Sequence, residues 1–255
     1  MHLKKLTLIV GICVLSVAAA DKWFEAPFQE WGEKDVQRML TKSPWAKSYT
    51  FEPQSNTGGS SGRGGGGATG VSRGSTQTVE ARVANTSAQQ SNRVAPAVYL
   101  RAQWYSAKPV RMALARQVQL LNPAADMSRI NQFVDTDPED AILMLRMDFN
   151  ASGQGQARMI SMFLARQTLE TMGPVTVLTT KSKKRIPLKM YVPPTQEDPT
   201  AKFIFPRTLP DGQPLIEEDD KEASFRTQLK LRDRALHLHY RFKTKDMIYQ
   251  GKFLY

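Results

Sequence analysis

One stretch in the first half of the chain cannot contribute side chains to a packed core. Residues 58–67 read GGSSGRGGGG, and the surrounding region from 52 to 96 is dominated by small and polar residues. This composition is typical of a flexible linker, because it offers too little apolar surface to offset the entropy of ordering the chain. We therefore predict a disordered Gly-rich linker over 52–96. The fold must then be built from residues 21–51 and 97–255.

The first twenty residues have the composition of a secretory signal peptide. Lys4 and Lys5 precede an apolar run over 6–17, and three alanines precede Asp21. A basic start, a short apolar core and small residues at the exit are what signal cleavage requires. The run is too short to span a bilayer. We expect an exported protein, periplasmic or extracellular, with no transmembrane segment after cleavage of residues 1–20.

The single cysteine, Cys13, lies inside this predicted signal. A mature chain without thiols is disulfide-free, and it cannot use cysteine as a nucleophile or a metal ligand. Lipid attachment at Cys13 is the alternative, but the preceding Ile12 is larger than the small residue expected there. Stability must therefore come from a packed apolar core.

The chain is basic, with a formal net charge of +11 that becomes +9 when Lys4 and Lys5 are removed with the signal. In an exported protein, a basic surface favours an anionic envelope component as partner, such as phospholipid headgroups or cell-wall polymer. Another envelope protein is a further possible partner, and the compartment disfavours nucleic acid. The alternative is that the charge serves only solubility.

Residues 21–51 form an aromatic-rich arm that holds three of the four tryptophans. A short helix is predicted over 33–41, because its apolar residues recur at helical spacing and acidic residues occupy its first turn. So short a helix is not stable alone in water, so the arm must dock. We expect it to dock on its own domain near residue 106, or alternatively on a partner. The predicted docking residues are Trp31, Val36, Leu40 and Trp45.

Helical periodicity returns after the linker, over residues 106–121, with Ser106 as the expected capping residue and Arg111 off the apolar stripe. A second helix is predicted over 126–133, burying Met127, Ile130 and Phe133. Residues 156–172 favour a third helix, although 159–164 would also fit a buried strand.

Alternating apolar residues predict strands over most of the rest of the chain. Strands so close in sequence pair antiparallel. The predicted fold class is α+β, a mainly antiparallel β-sandwich or curled sheet with two or three helices packed at one end. The strands are expected at 141–149, 175–180 and 186–192 as a hairpin, 201–205, 223–231, 236–242 and 247–254.

Three groups of residues together resemble an uncharacterised family of secreted bacterial proteins. They are WGEKDV with SPWA (31–36 and 43–46), WYSAKPVR (104–111), and FPR with KDMIYQGK (205–207 and 245–252). The chain departs from the family at Gly32, where a capping Ser or Thr is expected, and in its glycine-rich insert. The resemblance implies export and a shared architecture, and it implies no reaction, cofactor or catalytic residue.

Two basic groups are the candidate contacts for an anionic surface. His237, His239, Arg241 and Lys243 alternate along one predicted strand and so share a face. A hairpin turn contributes Lys181, Lys183, Lys184 and Arg185. The histidine pair lacks a third ligand and lies beside two cations, which argues against a metal site. For Arg207 we expect a structural ion pair, with Asp35 or another acid.

No sequence motif identifies a catalytic, cofactor-binding or metal-binding residue, and no cofactor is expected. The leading hypothesis is non-catalytic binding or scaffolding of an envelope component. The alternative is an envelope hydrolase that uses a pair of Asp or Glu carboxylates, as glycosidases do.

Overall fold

A computed structural model describes residues 23–52, 95–180, 185–231 and 234–255. The predicted signal and nearly all of the predicted linker lie outside the described residues. Those described form five α-helices and eleven strands in antiparallel sheets, which confirms the α+β prediction. The strands are β1 (Ala46–Phe51), β2 (Val98–Trp104), β3 (Ala141–Phe149), β4 (Val177–Thr179), β5 (Arg185–Pro187), β6 (Met190–Val192), β7 (Ala201–Phe205), β8 (Glu222–Leu231), β9 (Arg234–Lys243), β10 (Ile248–Tyr249) and β11 (Lys252–Phe253).

Two larger sheets and one small hairpin account for these strands. The five-stranded sheet has the order β1-β2-β3-β7-β6, and the four-stranded sheet has the order β5-β4-β8-β9. The β10–β11 pair forms the hairpin. The segment over residues 23–51 therefore supplies an edge strand of the larger sheet, with Ala46 opposite Gln103 and Phe51 opposite Val98.

The two larger sheets pack against each other through aromatic side chains. The Phe203 and Phe225 rings lie 5.1 Å apart, and those of Trp104 and Phe242 lie 5.6 Å apart, all in edge-to-face geometry. The buried Tyr240 hydroxyl crosses between the sheets and donates to the Leu100 carbonyl at 3.0 Å. Aromatic pairs of this kind add stability beyond the area they bury. The core of the molecule thus lies between the sheets.

The helices form two groups. They are α1 (Glu33–Lys42), α2 (Lys108–Leu121), α3 (Met127–Asp135), α4 (Gln154–Ala165) and α5 (Leu169–Met172). Helix α2 follows β2 and packs on α1 and α3, whereas α4 follows the opposite end of β3 and contacts β8. Within the described parts of the chain, no helix is long and apolar enough to cross a bilayer.

The start of α2 differs from the prediction in two residues. Ser106 does not cap the helix, because its hydroxyl accepts the backbone N–H of Ile142 at 3.0 Å and α2 begins at Lys108. Arg111 is buried rather than off the apolar stripe. Its guanidinium donates to the carbonyls of Ser106 and Val134 and to the Asp137 carboxylate, which compensates its burial.

In α3, Ile130 and Val134 are buried, whereas Met127 is 43% exposed and Phe133 is only half-buried. The prediction that Met127 is buried was wrong, and Phe133 is buried only in part, where it packs against the core. The helix runs two residues further than expected, to Asp135, so Val134 takes the core position one turn after Ile130.

One predicted hairpin and one predicted strand are organised differently. The predicted hairpin over 175–192 is divided, since β5 pairs with β4 but β6 pairs with β7 in the other sheet. The predicted strand over 247–254 is a short hairpin that turns at Gln250 and Gly251. Both of these residues have positive φ, a conformation that glycine adopts readily.

Candidate functional site

The outward side of the four-stranded sheet carries most of the predicted contact residues. Along β9, Leu236, Leu238, Tyr240 and Phe242 are buried, while the residues between them are exposed. The period of two residues in a strand therefore places His237, His239, Arg241 and Lys243 on the solvent side, as their spacing predicts.

The second predicted group meets the first through the sheet register. Arg185 is opposite Thr179 in β4, Thr179 is opposite Ser224 in β8, and Ser224 is opposite Arg241 in β9. Residues in such a row point to the same face. Three strand spacings separate Arg185 from Arg241, or roughly 14 Å. Lys181, Lys183 and Lys184 lie outside the described residues.

Two further cations of this face escaped the sequence analysis. Arg226 lies opposite His239, and Lys230 lies opposite Ala235, both on the exposed side of β8. The signal was present, because the strand was predicted and its buried residues alternate with Arg226 and Lys230. We call this surface the basic face; it consists of Arg185, Arg226, Lys230, His237, His239, Arg241 and Lys243.

Little acidic charge offsets these cations. Glu222 at the end of β8 is the one carboxylate in the described outward positions of the sheet, and its oxygen lies 3.7 Å from Arg241 Nε. Among the described residues, Arg185, Arg226, Lys230 and Lys243 form no ion pair. Their charges are therefore available to an external anion.

His239 lies at the centre of the basic face. Its Nε2 is 2.7 Å from the Ser224 hydroxyl and 3.4 Å from Arg241 Nε, which donates to it. Partial burial against the neighbouring side chains of the sheet lowers the pKa of His239, the charges of Arg226 and Arg241 lower it further, and Glu222 acts in the opposite direction. The imidazole is therefore neutral at pH 7 and acts as a hydrogen-bonding group, whereas the arginines carry the charge.

A shallow depression of about 450 Å³ is open to solvent on this face. Arg226, His237 and His239 line it together with Val175 and Gln228. A second depression, between β1 and the start of β9, contains one carboxylate, Glu52, and a third, beside α4, contains none. These three clefts thus offer no pair of facing carboxylates of the kind that glycoside hydrolysis needs.

The Ser224–His239 contact resembles part of a nucleophilic site but lacks the supporting groups. In a hydrolytic triad, a carboxylate orients the histidine through its other nitrogen. Here Glu222 contacts Arg241, and Arg241 donates to the same Nε2 that would have to take the serine proton. Within the described residues, no group of three His, Cys, Asp or Glu side chains could hold a metal ion.

The four predicted docking residues lie in the core. Trp31, Val36, Leu40 and Trp45 are each 3% exposed or less. Trp45 Nε1 donates to the Leu254 carbonyl at 2.7 Å, and the Trp31 carbonyl accepts from Arg116 of α2 at 2.8 Å. These contacts join the segment to α2 and to the last residues of the chain.

Arg207 does not pair with Asp35. Its guanidinium lies 5.0 Å from the centre of the Tyr255 ring and donates to the Tyr255 carbonyl at 2.9 Å. The Asp35 carboxylate instead accepts the Gly32 backbone N–H at 3.0 Å, at the start of α1. Both contacts are structural, so neither residue adds to the basic face.

Comparison with protein-family models, curated proteins and solved structures gives no match.

Proposed function

We propose that this protein is an exported, non-catalytic binder of an anionic envelope component, and that the basic face is its contact surface. The observation that carries the proposal is the cross-strand row from Arg185 to Arg241, which joins two basic groups separated by more than fifty residues in sequence. A surface of this kind fits repeated anionic groups, as in phospholipid headgroups or cell-wall polymer.

Geometry supports binding over chemistry at this surface. The cations are spread over β5, β8 and β9 of one sheet rather than gathered in an enclosed pocket. An enzyme needs a nucleophile, base or metal in a site that excludes water. A set of exposed cations instead binds an anionic surface through several weak contacts, whose contributions add. Each basic side chain near an anionic lipid surface contributes about 1 kcal/mol.

The test is co-sedimentation of the protein with anionic vesicles, with zwitterionic vesicles and with cell-wall sacculi. Replacing Arg226, Arg241 and Lys243 with Gln should weaken binding to the anionic target roughly 100-fold, because three contributions of about 1 kcal/mol are lost. Binding of the unaltered protein should also weaken with salt, since exposed charges are screened.

A matched variant controls for net charge. Lys34, Arg129 and Lys252 are exposed and lie outside the basic face, so their replacement by Gln removes the same charge from other parts of the surface. This control should bind almost as the unaltered protein does. If both triple variants lose affinity equally, the effect is one of net charge, and the basic face is not the contact surface. Absence of binding at low salt to every target would refute the proposal.

A further inference from the structure

A groove of about 330 Å³ runs between one side of α4 and the end of β8. Its walls are mainly apolar, with Met159, Met162 and Phe163 on the helix and Leu231 on the strand. This volume lies at the small end of pockets that hold low-molecular-weight ligands. We call it the α4 groove.

The apolar lining of the groove borders the core but leaves part of its surface open to solvent. Helix α4 packs inward through Ala157, Ile160 and Leu164, which are buried. Met159 and Phe163 lie on a neighbouring stripe and are half-buried, and Met162 is 47% exposed. Methionine is flexible and polarisable, and it is common on surfaces that adapt to apolar ligands.

Three cations surround this lining. Arg158 lies in α4, Arg166 follows about two helical turns later at the C-terminal end of the helix, and Lys230 projects from β8 on the other side. All three are exposed, and none forms an ion pair with a described residue. The twelve residues of α4 include no acid. An occupant of the groove is therefore expected to be apolar along its length and negatively charged at one end.

We infer that the α4 groove binds a single-chain anionic amphiphile, a fatty carboxylate, with the alkyl chain on Met159, Met162, Phe163 and Leu231 and the carboxylate beside Arg158 or Arg166. Arginine suits this role because its guanidinium can donate two parallel hydrogen bonds to a carboxylate. The groove is concave and of small-ligand size, which favours one alkyl chain over the flat surface of a bilayer.

Dodecanoate, below its micelle concentration, is the probe, and isothermal titration calorimetry is the measurement. Dodecanoate should bind, and dodecyltrimethylammonium, which has the same chain with a positive head, should not. Shortening the alkyl chain of the fatty carboxylate should weaken binding by up to roughly fourfold for each methylene removed, because less apolar surface is buried.

Met162→Glu should abolish binding by placing a carboxylate in the apolar lining. Met127→Glu is the matched control, because Met127 is also on a helix and is 43% exposed. The double variant Arg158→Gln with Arg166→Gln should weaken the binding of dodecanoate at least tenfold. Melting temperatures of the variants show whether each remains folded.

The inference fails if dodecanoate does not bind, if the cationic amphiphile binds equally well, or if the Met162 and Met127 variants behave alike. It also fails if binding needs vesicles and monomeric dodecanoate is not bound, since the groove would then be a membrane contact. Lys230 belongs to both surfaces, so neither variant set includes it. Replacing Arg226, Arg241 and Lys243 should leave dodecanoate binding unchanged, which separates this inference from the proposed function.

Discussion

Two regions of the molecule carry side chains that are common in binding surfaces, and the fold uses them in opposite ways. Residues 23–51 concentrate tryptophans, and the β8–β9 hairpin concentrates cations. Trp31 and Trp45 are buried in the core, whereas Arg226 and Arg241 face solvent. Aromatic density in this chain thus marks residues that stabilise the fold. Charge alternation marks residues that stay exposed to solvent.

The reason lies in the sheet. The segment over residues 23–51 ends in β1, whose six residues pair with β2, so its aromatic residues are held against the domain by a backbone ladder. The β9 strand also pairs along its whole length with β8, but its alternate residues must face outward. Strand pairing thus buries one set of residues and displays the other.

The largest expected effect is on stability, from Trp45→Ala. The side chain is fully buried and its indole donates to the Leu254 carbonyl, so its loss leaves a cavity and an unpaired carbonyl. We expect the free energy of unfolding, from urea denaturation, to fall by about 3–5 kcal/mol. Trp23→Ala, at a half-buried position of the same segment, should lower the free energy of unfolding by less. Equal losses would show that the segment is held by something other than its buried residues.

Two neighbouring residues of β9 test the difference between the buried and the exposed side of the sheet. Leu238 is 1% exposed and points between the sheets, so Leu238→Ala should reduce the free energy of unfolding by about 2–5 kcal/mol. The adjacent His237 is exposed, and His237→Ala should change stability by no more than about 0.5 kcal/mol. A large effect at His237 would contradict the assignment of the two faces. Thermal and urea unfolding of both variants measure it.

The smallest expected effect concerns pH and His239. Its pKa is lowered in the folded state, chiefly by burial and then by Arg226 and Arg241. As the pH falls below about 6.5, the usual pKa of an unfolded histidine, the unfolded chain takes up a proton that the folded chain resists. Stability should therefore decrease with falling pH, and His239→Gln should remove part of that decrease.

The measurement for His239 is the urea midpoint at pH 7.5 and at pH 5.5. At the higher pH the imidazole is neutral in both states, so that point reports what the substitution does to packing alone. An unchanged pH dependence in the variant would show that burial of His239 does not limit its protonation.

The sequence predicted best where one local pattern decides the structure. Apolar periodicity located β3 and β7 to the residue, and strict alternation along β9 placed His237, His239, Arg241 and Lys243 on one face. These local patterns failed where a strand pairs with a partner strand that is distant in sequence. Lys189 donates its N–H to the Ile204 carbonyl, and β6 pairs with β7, so the predicted hairpin is divided between two sheets. No periodicity within 175–192 carries that information.

Buried polar residues were the other source of error. Helical spacing placed Arg111 on the solvent side of α2, because the rule assumes that a charged side chain seeks water. Two backbone carbonyls and the Asp137 carboxylate replace that water. Similarly, Ser106 serves the backbone of Ile142 in a neighbouring strand rather than its own helix. The sequence predicted only part of the basic face. The strand register from β5 to β9 brings its residues together, and no local pattern carries that register.

The position of β9 at the end of its sheet has a consequence for self-association. A strand of ten residues at an edge leaves backbone donors and acceptors open to a strand from a second copy. Arg241 and Lys243 would then approach the like charges of that copy, and their repulsion opposes such addition. The basic face thereby also keeps copies of the protein apart. High salt or a bound polyanion, by neutralising these charges, removes that protection and favours aggregation through this edge.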